Sequence, residues 1–186
     1  NFKGNDATLD ERADFRWPYE MVLKAGMGVV TAWRDSIEPD GPKSLIIGAE
    51  GVCKDGGVRA WYNKGGDWGA ISAWAWALSR IVDYLETDKA VDCDALAVIG
   101  HSRLGKTALW AGATDPRFDM VISNDSGCCG AAISRRKYGE NFGVIATSFP
   151  HWFTPEFYKY KGKDETFPAD QHWLAALAAP RPLYIA

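Results

Sequence analysis

Ala95-Leu-Ala-Val-Ile-Gly100-His-Ser-Arg-Leu-Gly-Lys-Thr107 is the stretch that decides the fold. Its first part is a continuous apolar run between Asp94 and Gly100, the pattern of a strand buried on both faces of a parallel sheet. A short turn follows, and Thr107 to Ala113 reads as a helix stopped by Thr114-Asp115-Pro116. Upstream, Met27-Gly-Val-Val-Thr-Ala32 reads as a short buried strand after Gly26. Ser36 to Asp67, rich in Gly, Asp and Lys with weak periodicity around Leu45-Ile46-Ile47, reads as a long irregular connection of the kind that tends to be functional. Trp68 to Glu86 reads as an amphipathic helix, with Ile71, Trp74, Leu78, Ile81, Val82 and Leu85 on one stripe.

Downstream, Met120-Val-Ile-Ser123 reads as another buried strand before the Gly-rich Ser126 to Gly130. Asp170 to Ala179 reads as a short helix with Leu174 and Leu177 on its apolar side, stopped by Pro180 and Pro182. Leu183-Tyr-Ile-Ala186 begins a further strand. Strands alternating with helices predict an α/β fold with a mostly parallel sheet. No repeat, low-complexity tract or linker divides residues 1–186, which are read as a single domain.

Composition excludes several functions. The 186 residues carry 21 Lys+Arg against 24 Asp+Glu, a net charge of -3, so the basic excess needed for nucleic acid or an anionic membrane surface is missing. Apolar residues make up 47% and charged residues 24%, the balance of a folded chain. The most apolar stretch, Ala70 to Leu78, is far shorter than the ~20 residues that cross a bilayer. The chain opens on Asn1 and shows no signal peptide, so its first residues do not reveal its compartment. Cys53, Cys93 and the adjacent Cys128-Cys129 have neither metal-site spacing nor disulfide-scaffold density, and are expected to be small buried thiols. Nine Trp, seven Tyr and eight Phe supply mainly core, and also the kind of surface on which sugar rings stack.

Gly100-His-Ser-Arg-Leu-Gly-Lys-Thr107 admits two chemistries. Literally it matches G-x-x-x-x-G-K-[ST], a phosphate-binding loop in which Lys106 would meet the terminal phosphates. It also reads as a nucleophile elbow, a tight strand-to-helix turn that lifts the Ser102 hydroxyl above the carboxyl edge of the sheet. There helix dipole and backbone amides stabilise an oxyanion. The elbow departs from G-x-S-x-G, with Leu104 at +2 and the glycine at +3 as Gly105. Chain order favours the serine: a phosphate loop usually opens its domain, and here a whole strand–loop–helix unit is expected before it.

The octapeptide resembles the G-C-S-R-x-G-K signature of the glucuronoyl esterases, carbohydrate esterase family 15, in its bacterial form. Asn1-Phe-Lys-Gly-Asn5, Trp17-Pro-Tyr-Glu20, Trp68-Gly-Ala70, Ala73-Trp-Ala-Trp-Ala-Leu-Ser-Arg80 and Ser123-Asn-Asp-Ser-Gly-Cys128 also resemble family segments. So do Ser134-Arg-Arg136, Phe149-Pro-His-Trp-Phe153, Asp170-Gln-His172 and Ala179-Pro-Arg-Pro182, in the family's order along nearly the whole chain.

The resemblance implies an α/β-hydrolase three-layer sandwich with Ser102 as the nucleophile. The serine would attack the ester joining a 4-O-methyl-glucuronic acid branch of xylan to a lignin alcohol. It implies that the Arg103 guanidinium joins the oxyanion hole, and that Lys106 and Glu140 bind hydroxyls of the uronic acid. Asp125, in Asp125-Ser126-Gly127, stands where the family has Glu in E-S-G; it is one methylene shorter, and an acid after the strand at 183 is the alternative. The hydrolase order Ser, acid, His leaves His151 and His172 as candidates by position. The family's histidine, however, lies well downstream of Ala179-Pro-Arg-Pro182, so it is expected beyond Ala186. His151 and His172 are expected as structural hydrogen-bonders, and His101 occupies the signature's Cys position.

The expected protein is therefore a secreted or periplasmic monomer acting on glucuronoxylan or lignin-carbohydrate esters. It needs no cofactor, metal, nucleic acid or membrane. An acetyl xylan or other carbohydrate esterase, a P-loop nucleotide-binding protein and an inactive carbohydrate-binding remnant are the alternatives. The 186 residues are expected to be a middle slice of such a hydrolase, with unpaired sheet edges, poor solubility and little esterase activity alone.

Overall fold

The computed structural model describes residues 18–41 and 68–186. Trp33–Ala186 make one compact unit, and described residues 18–32 belong to another. In the latter, α1 (Tyr19–Lys24) carries a Glu20–Lys24 ion pair at 2.6 Å, one helical turn apart and solvated. Residues 27–32, expected as a buried strand, form none, and Met27, Val29 and Val30 are exposed. A strand requires ladder hydrogen bonds to a neighbour, whereas the Met27 N–H turns back to the Val22 carbonyl. Residues 42–67, including Leu45, Ile46, Ile47 and Cys53, lie outside the described residues.

The larger unit runs α2 (Ala70–Leu85), β1 (Ala97–His101), α3 (Arg103–Thr114), β2 (Met120–Asn124), α4 (Phe142–Ser148), α5 (Gln171–Ala176) and β3 (Leu183–Ile185). The strands form a parallel sheet in the order β1-β2-β3, with His101 opposite Asn124 and Ser123 opposite Ile185. Parallel neighbours need crossovers; α3 supplies the first, and the segment holding α4 and α5 the second. The three strands among the described residues thus end on one edge, immediately before Ser102, Asp125 and Ala186.

Beneath that edge lies a core of Ala75, Val82, Val98, Ala108, Leu109, Ala111, Phe118, Val121 and Ala178. The side chain that Gly112 lacks matters to this packing, because a Cβ there would stand 2.2 Å from Val121 Cγ2. A second core joins Ala70, Ile71 and Trp74 of α2 to Cys128, Phe142, Ile145 and Trp152, with Phe149, Phe153, Phe157, Tyr160 and Phe167 packed around it. Phe142 meets Phe157 and Phe167 edge to face, at 4.9 and 5.3 Å between ring centroids. Helix α2 serves both cores, which is why its alanines at 73, 75 and 77 are buried as well as the expected Ile71, Trp74 and Val82.

Three expectations change. Strand β1 is not buried on both faces: Val98 is buried, but Ile99 is 67% exposed, in register with Ile122 and exposed Tyr184 on the sheet's other side. An apolar run shows that both faces are apolar, not that both are covered. Helix α5 is shorter than expected, and Leu177, at its C-cap, is exposed while Leu174 packs on the first core. Cys128 is buried, but Cys93 and Cys129 are partly exposed; all three are free thiols.

Candidate active site

Ser102 occupies the N-cap position of α3 with φ 56° and ψ −120°, a left-handed conformation that is costly for a non-glycine residue. Neighbouring glycines make the turn possible. A Cβ on Gly100 would lie 1.9 Å from the Leu104 carbonyl oxygen, and one on Gly105 would lie 2.6 Å from that of Asn124. The Ser102 N–H donates to the Asn124 carbonyl at 2.9 Å, pinning the turn to the end of β2, and the Lys106 N–H donates to the Ser102 carbonyl. The Ser102 side chain makes no capping hydrogen bond, and the first-turn amides of a helix have no intrahelical acceptor.

Arg103, the first residue of α3, sends Nη1 to Asp40 Oδ2. Its guanidinium lies over the rings of Trp152, at 4.9 Å, and Phe149, at 5.4 Å, which are themselves stacked. The Asp40 side chain is 4% exposed; it also accepts from His151 Nε2 at 2.8 Å and Trp152 Nε1 at 2.8 Å, and forms an ion pair with Arg34 Nη2 at 3.0 Å. Burial by itself would push this carboxyl up. The donors of Trp152, His151 and Arg103 and the charge of Arg34 outweigh it and hold Asp40 below its ordinary value.

Lys106, one turn past Ser102, is buried, with Nζ donating to the Ser126 carbonyl and lying 5.8 Å above the Trp152 ring. Desolvation pulls its ammonium below the ordinary lysine value, and the charge of exposed Glu140 leads the groups that pull it back. Asp125 is exposed with φ 45°, and its N–H donates to the Ala186 carbonyl at the end of β3. Ser102, Arg103, Lys106 and Asp125 therefore gather at the carboxyl edge of the sheet, with Glu140 in electrostatic reach of Lys106.

The chain's three histidines are elsewhere engaged or exposed. His151 is a structural hydrogen-bonder on Asp40, as expected. His172 is not one: it lies exposed on α5, in ring contact with Trp173. His101 pairs through Nδ1 with Asn124 Nδ2 at 2.8 Å. Sequence reasoning missed Asp40 and the Trp152 indole. The one available signal for Asp40 was its place in a long Gly- and Asp-rich connection. Among the described residues, no group of three or more His, Cys, Asp or Glu side chains could hold a metal ion. No helix among them is long and apolar enough to cross a membrane.

Residues 48–186 match the sequence profile of the family described as glucuronyl esterase, fungi. A carbohydrate esterase from an unknown prokaryotic organism is 48% identical over 91% of this chain and 39% of its own length. A 4-O-methyl-glucuronoyl methylesterase of Wolfiporia cocos is 32% identical over 96% of this chain and 48% of its own. The solved structure of a family 15 glucuronoyl esterase from Teredinibacter turnerae superposes with a TM-score of 0.82 at 35% identity, covering all of this chain and 44% of that one. The chain thus spans under half the length of these relatives. The phosphate-loop reading of Gly100 to Thr107 gives way to these esterase matches, which span the loop and most of the chain around it. The strand–elbow–helix unit is that of an α/β-hydrolase, and the chain belongs to the glucuronyl esterase family.

Proposed function

We propose that this chain carries the nucleophile, oxyanion donor and part of the sugar site of a serine esterase that cleaves esters of glucuronic acid. The observation that carries the reading is Ser102 held at positive φ on the strand-to-helix turn, with Arg103 fixed beside it. A base takes the Ser102 proton as Oγ bonds to the ester carbonyl carbon, and the C=O electron pair moves onto oxygen. Unused Arg103 N–H groups and the first amides of α3 receive that oxyanion. Its collapse expels the alcohol, which takes the proton, and leaves an acyl-enzyme that water cleaves to free glucuronate. No histidine of this chain is seen hydrogen-bonded to the Ser102 hydroxyl. The base in this reading is a histidine outside residues 1–186, oriented by Asp125 or by another acid outside them.

Lys106 suits a uronic acid because its buried ammonium has one acceptor among the described residues, leaving two N–H for sugar hydroxyls. Glu140, an exposed acceptor close enough to act on Lys106, completes that side. The substrate class is the glucuronate ester of glucuronoxylan, including esters to lignin alcohols, met by a secreted or periplasmic monomer. In the complete polypeptide that contains this chain, Ser102→Ala is expected to abolish hydrolysis of benzyl glucuronate; normal turnover would refute the reading. A higher rate on acetylated xylan than on the glucuronate ester would move the substrate away from uronic acids while leaving the serine chemistry in place.

A further inference from the structure

We propose that Asp40 is the positioning residue for Arg103, holding the guanidinium at one nitrogen so that its other donors face the reacting ester; this rests on the oxyanion role given to Arg103 above. Asp40 and Arg103 are 63 residues apart in sequence, and the carboxylate that joins them is almost wholly buried. Arg103 hydrogen-bonds Oδ2, which also pairs with the Arg34 guanidinium, and His151 and Trp152 hydrogen-bond Oδ1. Three hydrogen bonds and an ion pair converging from three segments restrain the carboxylate at both oxygens.

Its backbone is fixed as well. The Asp40 N–H donates to Asp35 Oδ1 at 3.0 Å, and the Trp74 indole N–H donates to the Glu38 carbonyl at 2.7 Å, tying this segment to α2. On the other side, the stacked Phe149 and Trp152 rings limit where the guanidinium can swing. Of the five N–H groups of an arginine, one is spent on Asp40; the described residues give the rest no acceptor. The side chain stays 32% exposed. A donor aimed in advance costs no reorganisation when charge develops, and about 1 Å of misplacement costs on the order of 10²-fold in rate.

The test is a double-mutant cycle in the complete polypeptide, with benzyl glucuronate as substrate. Arg103→Ala is expected to lower kcat by about 10²–10³-fold. Asp40→Asn is expected to lower kcat by about 10–100-fold with KM held within about twofold. Combined, the two should cost no more than Arg103→Ala alone, since the aspartate acts through the arginine. Additive losses, or an Asp40→Asn effect confined to KM, would overturn the proposal. An unchanged kcat in Arg103→Ala would instead sink the oxyanion role itself. If Asp40→Asn fails to fold, Asp40→Glu, which keeps the charge but moves the carboxylate, replaces it in the same cycle. Two unfolded variants would assign Asp40 to stability alone and also overturn the proposal.

Discussion

Arg103 and Arg117 are exposed to the same degree, 32% and 31%, yet are held in opposite ways. Arg117 has every nitrogen engaged. Nε and Nη2 grip Asp115 at 3.0 and 2.7 Å, Nη1 bridges Asp83 at 2.8 Å and Glu86 at 3.0 Å, and Nη2 also donates to the Ser79 carbonyl. It staples the end of α2 to the turn after α3 and has nothing left to offer a ligand. Arg103 is tied at Nη1 alone, beside the strained serine. Exposure does not separate a structural arginine from one available for chemistry; the number of its donors already spoken for does.

Substitution should set the two apart. Arg103→Ala is expected to lose about 10²–10³-fold in kcat with little change in melting temperature, because Asp40 keeps His151 and Trp152 as donors and Arg34 as an ion-pair partner. Arg117→Ala should do the reverse. It strands buried Asp115 and is expected to cost about 2–3 kcal/mol in urea unfolding, with kcat of the folded enzyme unchanged. If both variants lose activity and stability in the same proportion, the contrast between them is broken.

The smallest effect sharpens it. Paired with Arg117, Asp115 is held down from an ordinary 3.8 to about 2, so its folded value lies below its unfolded one. Its contribution is then complete above pH ~4 and is lost as pH falls through the interval down to about 2, amounting to about 2 kcal/mol. Asp115→Asn should flatten the stability profile across that window, as followed by urea midpoints. An identical profile in the variant would show that the arginine's grip on this carboxylate carries no net stability.

Much of the fold was legible because its signals are local. The apolar run before Gly100 gave β1, and Gly100 and Gly105 marked a turn so tight that a side chain at either would strike backbone oxygen. The stripe from Ile71 to Val82 gave α2. Residues 27–32 misled because β-branched and apolar content does not supply a neighbouring strand. Leu177 misled because a helical stripe says nothing of where the last turn ends. His172 misled because hydrogen-bond partners are a property of the packed surface, and His172 stands exposed on α5.

Ser102, Arg103 and Lys106 lie within one helical turn, so residue order alone brought them together around the elbow. The sequence by itself determined an α/β fold, a serine on a strand-to-helix turn and the residues that flank it. Only the tertiary structure decided what holds those residues still. Asp40 meets Arg103 across 63 residues and His151 across 111, separations at which no spacing or periodicity reports a contact. Loop closure over such distances depends on the two cores that set α2, α3 and the 149–153 segment side by side. That packing ties the arginine that follows Ser102 to a buried carboxylate at one nitrogen.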